Sequence, residues 1–455
     1  MNRNQRTLLN DGAPSDGEEP TSHRGLSLVL LSGGVGALAG LVGGVFHHLL
    51  ESAGSARVAL TEFLHTQPFP GWLVTTLICA LTVTLAIWMV ARFAPEASGS
   101  GIHEVEGILA DERLLRWRRV LPVKFFGGLL AIGSGLDLGR EGPTVHMGGA
   151  IGGFVAESLE QPEDCTKTLV AAGAGAGLAA AFNAPLAGII FVTEEMRSEF
   201  KYHFISLYSV IAASCMAVVV NDWWLGQGPD LPIRNVPLAP LREAPLFLVL
   251  GVLIGVIGVG FNWVLLRAVR SMGRIRRRHS LMMGVTIGSI SGALLWFLPE
   301  AMGGGETLVE TLVAEKWTVV LLLGLFAIRF VTTVGSYGSG APGGIFAPLL
   351  GLGTIAGVAF GSAVTLVFPG IVSTPGAFAV AAMGALFAAT VGAPLTGIIL
   401  VVELTNAHSA LLTIILTCLS ASLTAKSLGG TPIYTQLLQV ALSSSPEISK
   451  SPKET

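Results

Sequence analysis

The longest uncharged stretch of the chain sets the strongest limit on its fold. From Phe330 to Val402, 73 consecutive residues contain no Asp, Glu, Lys, Arg or His. About 20 apolar residues are enough for one helix to cross a bilayer, so this stretch is far longer than one crossing needs. Charged residues make up only 13% of the 455 residues, against roughly 25% in soluble domains. The sequence therefore predicts an all-α, polytopic membrane protein.

Many of the apolar segments are short or are interrupted by Gly or Pro. Helices that stop inside the membrane usually surround a transport pathway, so we expect many tilted and broken helices around one. Small residues four positions apart let neighbouring helices approach closely. Such spacing occurs at Gly36, Gly40 and Gly44, and again at Gly251 and Gly255.

Two parts of the sequence repeat each other. Residues 183–195 (NAPLAGIIFVTEE) match residues 392–404 (GAPLTGIILVVEL) at a constant offset of 209. The match pairs Glu194 with Glu403, which favours a shared structural role for the two acids, such as a hydrogen bond to the backbone. Glu195 has no acidic counterpart in the repeat. This difference favours a specific function for Glu195.

The distribution of basic residues indicates how the two copies are oriented. One basic cluster lies in residues 113–124 and another in residues 267–278, and the positive-inside rule places both in the cytoplasm. The stretch equivalent to the first cluster, near 312–323, holds only Lys316. The stretch equivalent to the second cluster, near 63–74, holds no Lys or Arg. Equivalent loops therefore face opposite sides, which predicts an inverted-topology repeat with a site near the membrane midplane.

The domain organisation follows from the repeat. We predict a single transmembrane transport domain over residues 26–440, with halves at about 26–221 and 242–440. Residues 1–25 are polar and lack the apolar core of a cleavable signal, so we expect a mobile cytoplasmic tail there. A short C-terminal tail is expected over residues 441–455.

Four glycine-rich runs precede segments that can form helices. A helix N-terminus carries unpaired N–H groups and a partial positive charge, so several of them aimed at one point can bind an anion without a full positive charge. The runs are GSGIHEVEG from Gly99, GREGP from Gly139, GAPGGIFAP from Gly340, and Gly429–Tyr434.

These motifs resemble those of the CLC family of chloride channels and chloride/proton exchangers, over about residues 30–435. The resemblance implies that Ser100 and Tyr434 donate hydroxyl hydrogens to a central anion, and that the backbone amides of Ile345 and Phe346 donate two more hydrogen bonds. Gly142, inside GREGP, is included in the predicted anion site. Ser100 at its position favours chloride over nitrate or fluoride.

The resemblance also assigns roles to acids within the membrane, where ionisable residues are functional candidates by default. Glu141 corresponds to the external gate, which occupies an anion site as a carboxylate and leaves it when protonated. Glu195 corresponds to the internal proton-transfer glutamate, with Glu106 near it. His103 departs from the family pattern, in which proline is usual, and we favour a tolerated substitution over a pH-sensing role.

Other classes of function are less well supported. His103-Glu104 opens an HExxH pattern, but residue 107 is Gly, so a zinc protease lacks its second ligand. The sequence has no GxSxG and no GxxxxGK[ST] run, which argues against a serine hydrolase of that type and an ATP-driven pump. We therefore predict a non-enzymatic chloride/proton exchanger, with a passive chloride channel of the same fold as the alternative. A cation-coupled carrier fits a site made of donors poorly.

The predicted partners are few. Chloride and protons are the transported ions, and the lipid bilayer surrounds the protein. We expect no cofactor, because the four cysteines lie far apart and no metal-ligand spacing is seen. The net charge of −3 does not indicate nucleic acid. The resemblance further implies a homodimer, placed in the inner membrane of a bacterium as a multi-pass protein.

Overall fold

Helices account for the regular structure of the described residues, in which no β-strand occurs, and this confirms the all-α prediction. The computed structural model describes residues 22–196, 203–226, 228, 231, 233, 240–314, 317–371 and 375–444. The helices are α1 (Ser22–His65), α2 (Gly71–Phe93), α3 (Ile102–Leu109), α4 (Trp117–Gly133), α5 (Glu141–Ser158), α6 (Glu163–Phe182), α7 (Pro185–Glu195), α8 (Phe204–Leu225), α9 (Ala244–Phe297), α10 (Glu306–Ala314), α11 (Val319–Gly338), α12 (Phe346–Val367), α13 (Pro375–Val391), α14 (Pro394–Thr405), α15 (Leu411–Ser427) and α16 (Ile433–Ser444).

The helices have very different lengths. Nine helical stretches of the described part are long and apolar enough to cross a membrane, and two of them belong to α9, which is kinked at His279 (φ −139°, ψ 51°). The protein is thus a multi-pass integral membrane protein. By contrast, α3 has 8 residues and α7 has 11, which at about 1.5 Å per residue cannot cross a hydrocarbon core of roughly 30 Å. The predicted broken helices are confirmed.

The ends of the chain give no test of the predicted tails. Helix α1 begins at Ser22 and α16 ends at Ser444. Residues 1–21 and 445–455 lie outside the described residues, so the two tails stay predictions.

The two halves of the chain repeat the same order of elements. A short 3-10 turn with the sequence Pro-Glu-Ala occurs at Pro95–Ala97 and again at Pro299–Ala301. Each turn is followed by a short helix, α3 or α10, and then by a longer one, α4 or α11. Helix α9 corresponds to α1 and α2 together, with the kink at His279 where the first half has a loop.

The equivalent helices α7 and α14 run in opposite directions and cap each other. Near the C-terminal end of α7, Glu194 accepts hydrogen bonds from the backbone N–H groups of Leu395 (3.0 Å) and Thr396 (2.7 Å) at the start of α14, and from the Thr396 hydroxyl (2.8 Å). In return, Glu403 of α14 accepts from the backbone N–H groups at 186 (3.1 Å) and 187 (2.7 Å) at the start of α7. Such reciprocal contacts require antiparallel helices, as an inverted repeat predicts, and the backbone hydrogen bonds expected of the paired acids are present.

Close packing at the regularly spaced glycines is also confirmed. A Cβ atom at Gly40 of α1 would stand 2.5 Å from the carbonyl oxygen of Ala217 in α8, and one at Gly255 of α9 would stand 2.7 Å from that of Ala421 in α15. Contacts this short exclude any side chain. Helices α1 and α8, and their repeat equivalents α9 and α15, therefore pack backbone to backbone.

A buried ion pair joins the two halves. The Arg329 guanidinium in α11 is fully buried and donates to the Asp137 carboxylate, which lies between α4 and α5, at 2.9 Å. The hydroxyl groups of Thr332 and Thr333 donate to the same carboxylate at 2.8 and 2.7 Å. Two buried charges are tolerated here because both are hydrogen-bonded to several partners.

Two members of the predicted cytoplasmic basic clusters are not surface charges. The Lys124 side chain is fully buried and donates to the carbonyl oxygens of Ala97 (2.9 Å) and Gly99 (2.6 Å). The buried Arg113 makes a two-point ion pair with Glu104, with both distances at 2.7 Å. The count of basic residues therefore overestimated the positive surface charge of this loop. Arg113 and Lys124 point inward, where they bind carboxylate and backbone carbonyl oxygens. Arg118, Arg119, Arg267, Arg270 and Arg274 are exposed, as the prediction requires.

Candidate anion-binding site

Three of the glycine-rich runs meet in the interior of the protein. The N–H of Gly343 donates to the carbonyl oxygen of Gly99 (3.0 Å). Gly139 and Gly344 exchange two backbone hydrogen bonds, at 2.8 and 2.7 Å. These loops lead directly into α3, α5 and α12. The starts of α3, α5 and α12, from both halves of the chain, are therefore held together by backbone pairing, so their partial positive charges lie in one region.

Glycine is required where these loops touch. A Cβ atom at Gly142 would stand 2.6 Å from the Cβ of Ser100 and 3.1 Å from the Cα of Gly344. Any side chain at residue 142 would separate the GSGIH, GREGP and GGIFAP runs. The predicted anion-site residues Ser100 and Gly142 are thus in van der Waals contact, and the Ser100 side chain is fully buried.

The fourth run supplies a buried hydroxyl group. Tyr434, in the first turn of α16, is 0% exposed, and its ring lies nearly parallel to that of Phe346, with ring centroids 6.2 Å apart. Its hydroxyl has no hydrogen-bond partner among the described residues. A buried tyrosine hydroxyl normally has a partner, so this one is available to a bound ligand. Ile345 and Phe346 precede and begin α12, where the helix leaves its first N–H groups unpaired.

Glu141 is the first residue of α5 and is 0% exposed. Its carboxylate lies against Gly139, where a Cβ atom would overlap Oε2 of Glu141 and stand 3.1 Å from the backbone nitrogen of Ala347 in α12. The carboxylate is therefore next to the N-terminus of α12, the same helix start that provides Ile345 and Phe346. A carboxylate in this place can compete with a small anion for the same donors.

The two predicted proton-transfer acids lie on different short helices. Glu106 is buried in α3, and Glu195 is the last residue of α7 and half-buried. The Tyr434 hydroxyl is close enough to Glu106, Glu141 and Glu195 to interact electrostatically with all three. These roles stay predictions, since geometry alone does not test proton transfer.

His103 does not disturb the start of α3. The helix begins at Ile102, and the N–H groups of Glu104 and Val105 donate to the carbonyl oxygen of Gly101 at 3.2 and 3.1 Å. The imidazole is buried, with Nε2 at 3.8 Å from a carboxylate oxygen of Glu104. A proline is therefore not needed to shape this helix start.

Sequence reasoning missed two residues at the site. Lys124 holds the loop before Ser100, because its buried side-chain nitrogen donates to the carbonyl oxygens of Ala97 and Gly99. Tyr337, in the last turn of α11, places its hydroxyl 3.4 Å from Oγ of Ser100. The sequence contains one feature that could have pointed to Tyr337, because it is the one tyrosine in the uncharged 73-residue stretch.

A cavity of about 580 Å³ is lined by Ser98 and Gly99, which directly precede Ser100 in the chain. Its walls include Arg92, Arg276 and the Arg113–Glu104 ion pair, as well as His103 and Tyr337. Because Arg276 belongs to the second basic cluster, the positive-inside rule assigns this entrance to the cytoplasm. A positive entrance raises the local concentration of small anions.

The fold and the site together define a class of protein, namely a polytopic inverted-repeat membrane protein with a small-anion pathway at its centre. Comparison with known proteins gives the family. Residues 82–426 match the family model described as voltage gated chloride channel. The chain belongs to the CLC family of chloride channels and chloride/proton exchangers.

Individual relatives agree with this assignment. The chain is 47% identical over 423 residues to the H(+)/Cl(-) exchange transporter ClcA of Vibrio parahaemolyticus, covering 91% of this chain and 90% of the relative. Identity to ClcA of Salmonella arizonae is 43% over 417 residues, with 91% and 88% covered. Among solved structures, a slow cyanobacterial Cl−/H+ antiporter matches with a TM-score of 0.88 and 38% identity, over 94% of this chain and 99% of the other.

Proposed function

We propose that the protein exchanges chloride for protons across the inner membrane of a bacterium. The observation that carries the proposal is the buried Tyr434 hydroxyl, which has no hydrogen-bond partner among the described residues and lies within electrostatic range of Glu106, Glu141 and Glu195. The predicted anion site and the three acids therefore lie in one region of the protein. The names of the bacterial relatives support exchange over passive conduction.

The proposed mechanism uses the chain's own groups. Chloride enters through the arginine-lined cavity and is held by the hydroxyl groups of Ser100 and Tyr434 and the amides of Ile345 and Phe346. The Glu141 carboxylate competes with chloride for donors at the start of α12, and protonation removes its charge so that it leaves. Each passage of chloride past this point then requires a proton on the acid.

Glu195 and Glu106 belong to the cytoplasmic branch of the proposal. Glu195 delivers protons from the cytoplasm toward Glu141, and Glu106 supports it from α3. The mechanism needs no cofactor, metal ion or enzymatic step. The pathway is contained in one chain, and we propose a homodimer with one pathway in each subunit.

Reconstituted vesicles test the proposal. Liposomes are loaded with high chloride and diluted into low chloride at equal pH, with equal potassium on both sides and valinomycin to hold the membrane potential at zero. An exchanger moves protons inward as chloride leaves, so a pH-sensitive dye inside reports acidification. A passive channel gives chloride efflux with no net proton movement. Full chloride efflux without acidification would establish the channel alternative.

A further inference from the structure

Tyr337 contacts the anion-site serine in two ways. Its O–H donates to Oγ of Ser100 at 3.4 Å, and its oxygen accepts from the backbone N–H of Ser100 at 3.5 Å. The tyrosine is 3% exposed. It also packs onto Gly99, where φ is +63° and a Cβ atom would stand 3.0 Å from the tyrosine hydroxyl. The position of Tyr337 is therefore fixed against the loop that presents Ser100.

The hydrogen bonds of Ser100 determine which group it can offer to a ligand. A serine hydroxyl has one donor and two acceptor positions. Oγ of Ser100 accepts from the Tyr337 hydroxyl and from the backbone N–H of Ile102, at 3.4 Å each. Both acceptor positions are filled, so the hydroxyl hydrogen is the one polar group of this side chain left for an incoming molecule. An anion needs a donor of this kind.

We propose that Tyr337 is a positioning residue for chloride binding, which fixes the Ser100 hydroxyl so that its hydrogen points at the anion. This inference rests on the proposed function, because it takes Ser100 to be a chloride ligand. Tyr337 uses its own hydroxyl hydrogen on Ser100, so it has no donor left for the anion. Without the tyrosine hydroxyl, Oγ has an empty acceptor position and the serine hydrogen loses its fixed direction.

The surroundings of the pair support a positioning role. Arg276 donates to Oγ of Ser98 at 2.7 Å and to the carbonyl oxygen of Ser339 at 3.4 Å. Ser98 lies two residues before Ser100, and Ser339 lies two residues after Tyr337. The same guanidinium thus holds both loops in register. Tyr337 also lines the cavity that we propose as the chloride entrance.

A double-mutant cycle tests the inference. Tyr337→Phe keeps the ring and removes the hydroxyl, and Tyr208→Phe is the matched control, because Tyr208 is 55% exposed in α8. Chloride affinity is measured by isothermal titration calorimetry on purified protein. The two contacts are long, so we expect Tyr337→Phe to weaken chloride binding by about 2- to 10-fold. Tyr208→Phe should leave the affinity unchanged.

The decisive comparison uses the Ser100→Ala background. If Tyr337 acts through Ser100, adding Tyr337→Phe to Ser100→Ala changes the affinity no further. An equal loss of affinity in both backgrounds, or no loss in either, overturns the inference and leaves the proposed function intact. If Ser100→Ala itself does not alter chloride binding, the anion site is wrong and the inference is overturned with it.

Discussion

Glu194 and Glu195 are adjacent in the chain, yet the structure gives them different neighbours, and this makes a matched pair of variants. The Glu194 carboxylate accepts three hydrogen bonds at the start of α14. Glu195 has no counterpart in the repeat and is the proposed internal proton-transfer acid. We expect Glu194→Gln to lower stability and keep proton coupling, and Glu195→Gln to keep chloride flux and abolish coupling.

The size of the Glu194 effect follows from its contacts. Glutamine keeps one oxygen that can accept from the helix start, but its NH₂ group cannot replace the second carboxylate oxygen. The substitution therefore removes at least one charge-assisted hydrogen bond, worth roughly 1.5–3 kcal/mol. It also removes a negative charge at a helix N-terminus, worth roughly 0.3–1 kcal/mol. The free energy of unfolding should fall by about 2–4 kcal/mol.

Two assays on the same preparations separate the effects. Thermal unfolding in detergent should show a midpoint several degrees lower for Glu194→Gln than for wild type, with Glu310→Gln, an exposed glutamate on α10, as the control that stays unchanged. Proton uptake driven by a chloride gradient in liposomes should persist in Glu194→Gln and disappear in Glu195→Gln. Loss of coupling in Glu194→Gln, or retained coupling in Glu195→Gln, would refute the assignment of the two acids.

Three further predictions concern the site and the buried ion pair. Glu141→Gln and Glu141→Ala should both pass chloride without proton coupling and lose most of the pH dependence of the flux; uphill proton movement in either variant would place the gate elsewhere. Tyr434→Phe and Ser100→Ala should each weaken chloride binding by roughly 0.5–3 kcal/mol in calorimetry, and unchanged affinity in both would rule out the proposed coordination. Arg329→Met should lower the free energy of unfolding by about 3–5 kcal/mol by leaving a buried charge unpaired, and Asp137→Leu added to it should restore part of the loss, as thermal unfolding would show.

Much of the fold could be predicted because its signals are local. An uncharged run indicates membrane spans, and glycine ahead of an apolar segment marks a helix start, as at Gly139 before α5 and Gly340 before α12. The constant offset of the repeat paired Glu194 with Glu403 and so anticipated their common structural role. These features depend on residues near in sequence or on one internal comparison.

The missed features depend on contacts between distant residues. Tyr337 touches Ser100 across 237 positions of sequence, and an uncharged stretch gives no indication of which of its residues reaches a site. Arg113 and Lys124 have the composition of a cytoplasmic loop, but their partners are a carboxylate nine residues away and carbonyl oxygens about 25 residues away. A rule based on counting charges per loop cannot recognise such partners.

The exchange of caps between α7 and α14 has a consequence for how the protein is made. The start of α7 receives its carboxylate from a residue 216 positions further along the chain. A ribosome synthesising the chain therefore inserts the first half into the membrane with two backbone N–H groups of α7 still lacking their acceptor. Those groups gain the Glu403 carboxylate only after α14 has been synthesised and has packed against α7. The first half therefore cannot complete the cap of α7 by itself, and a chain stopped before Glu403 would leave this helix start without its carboxylate.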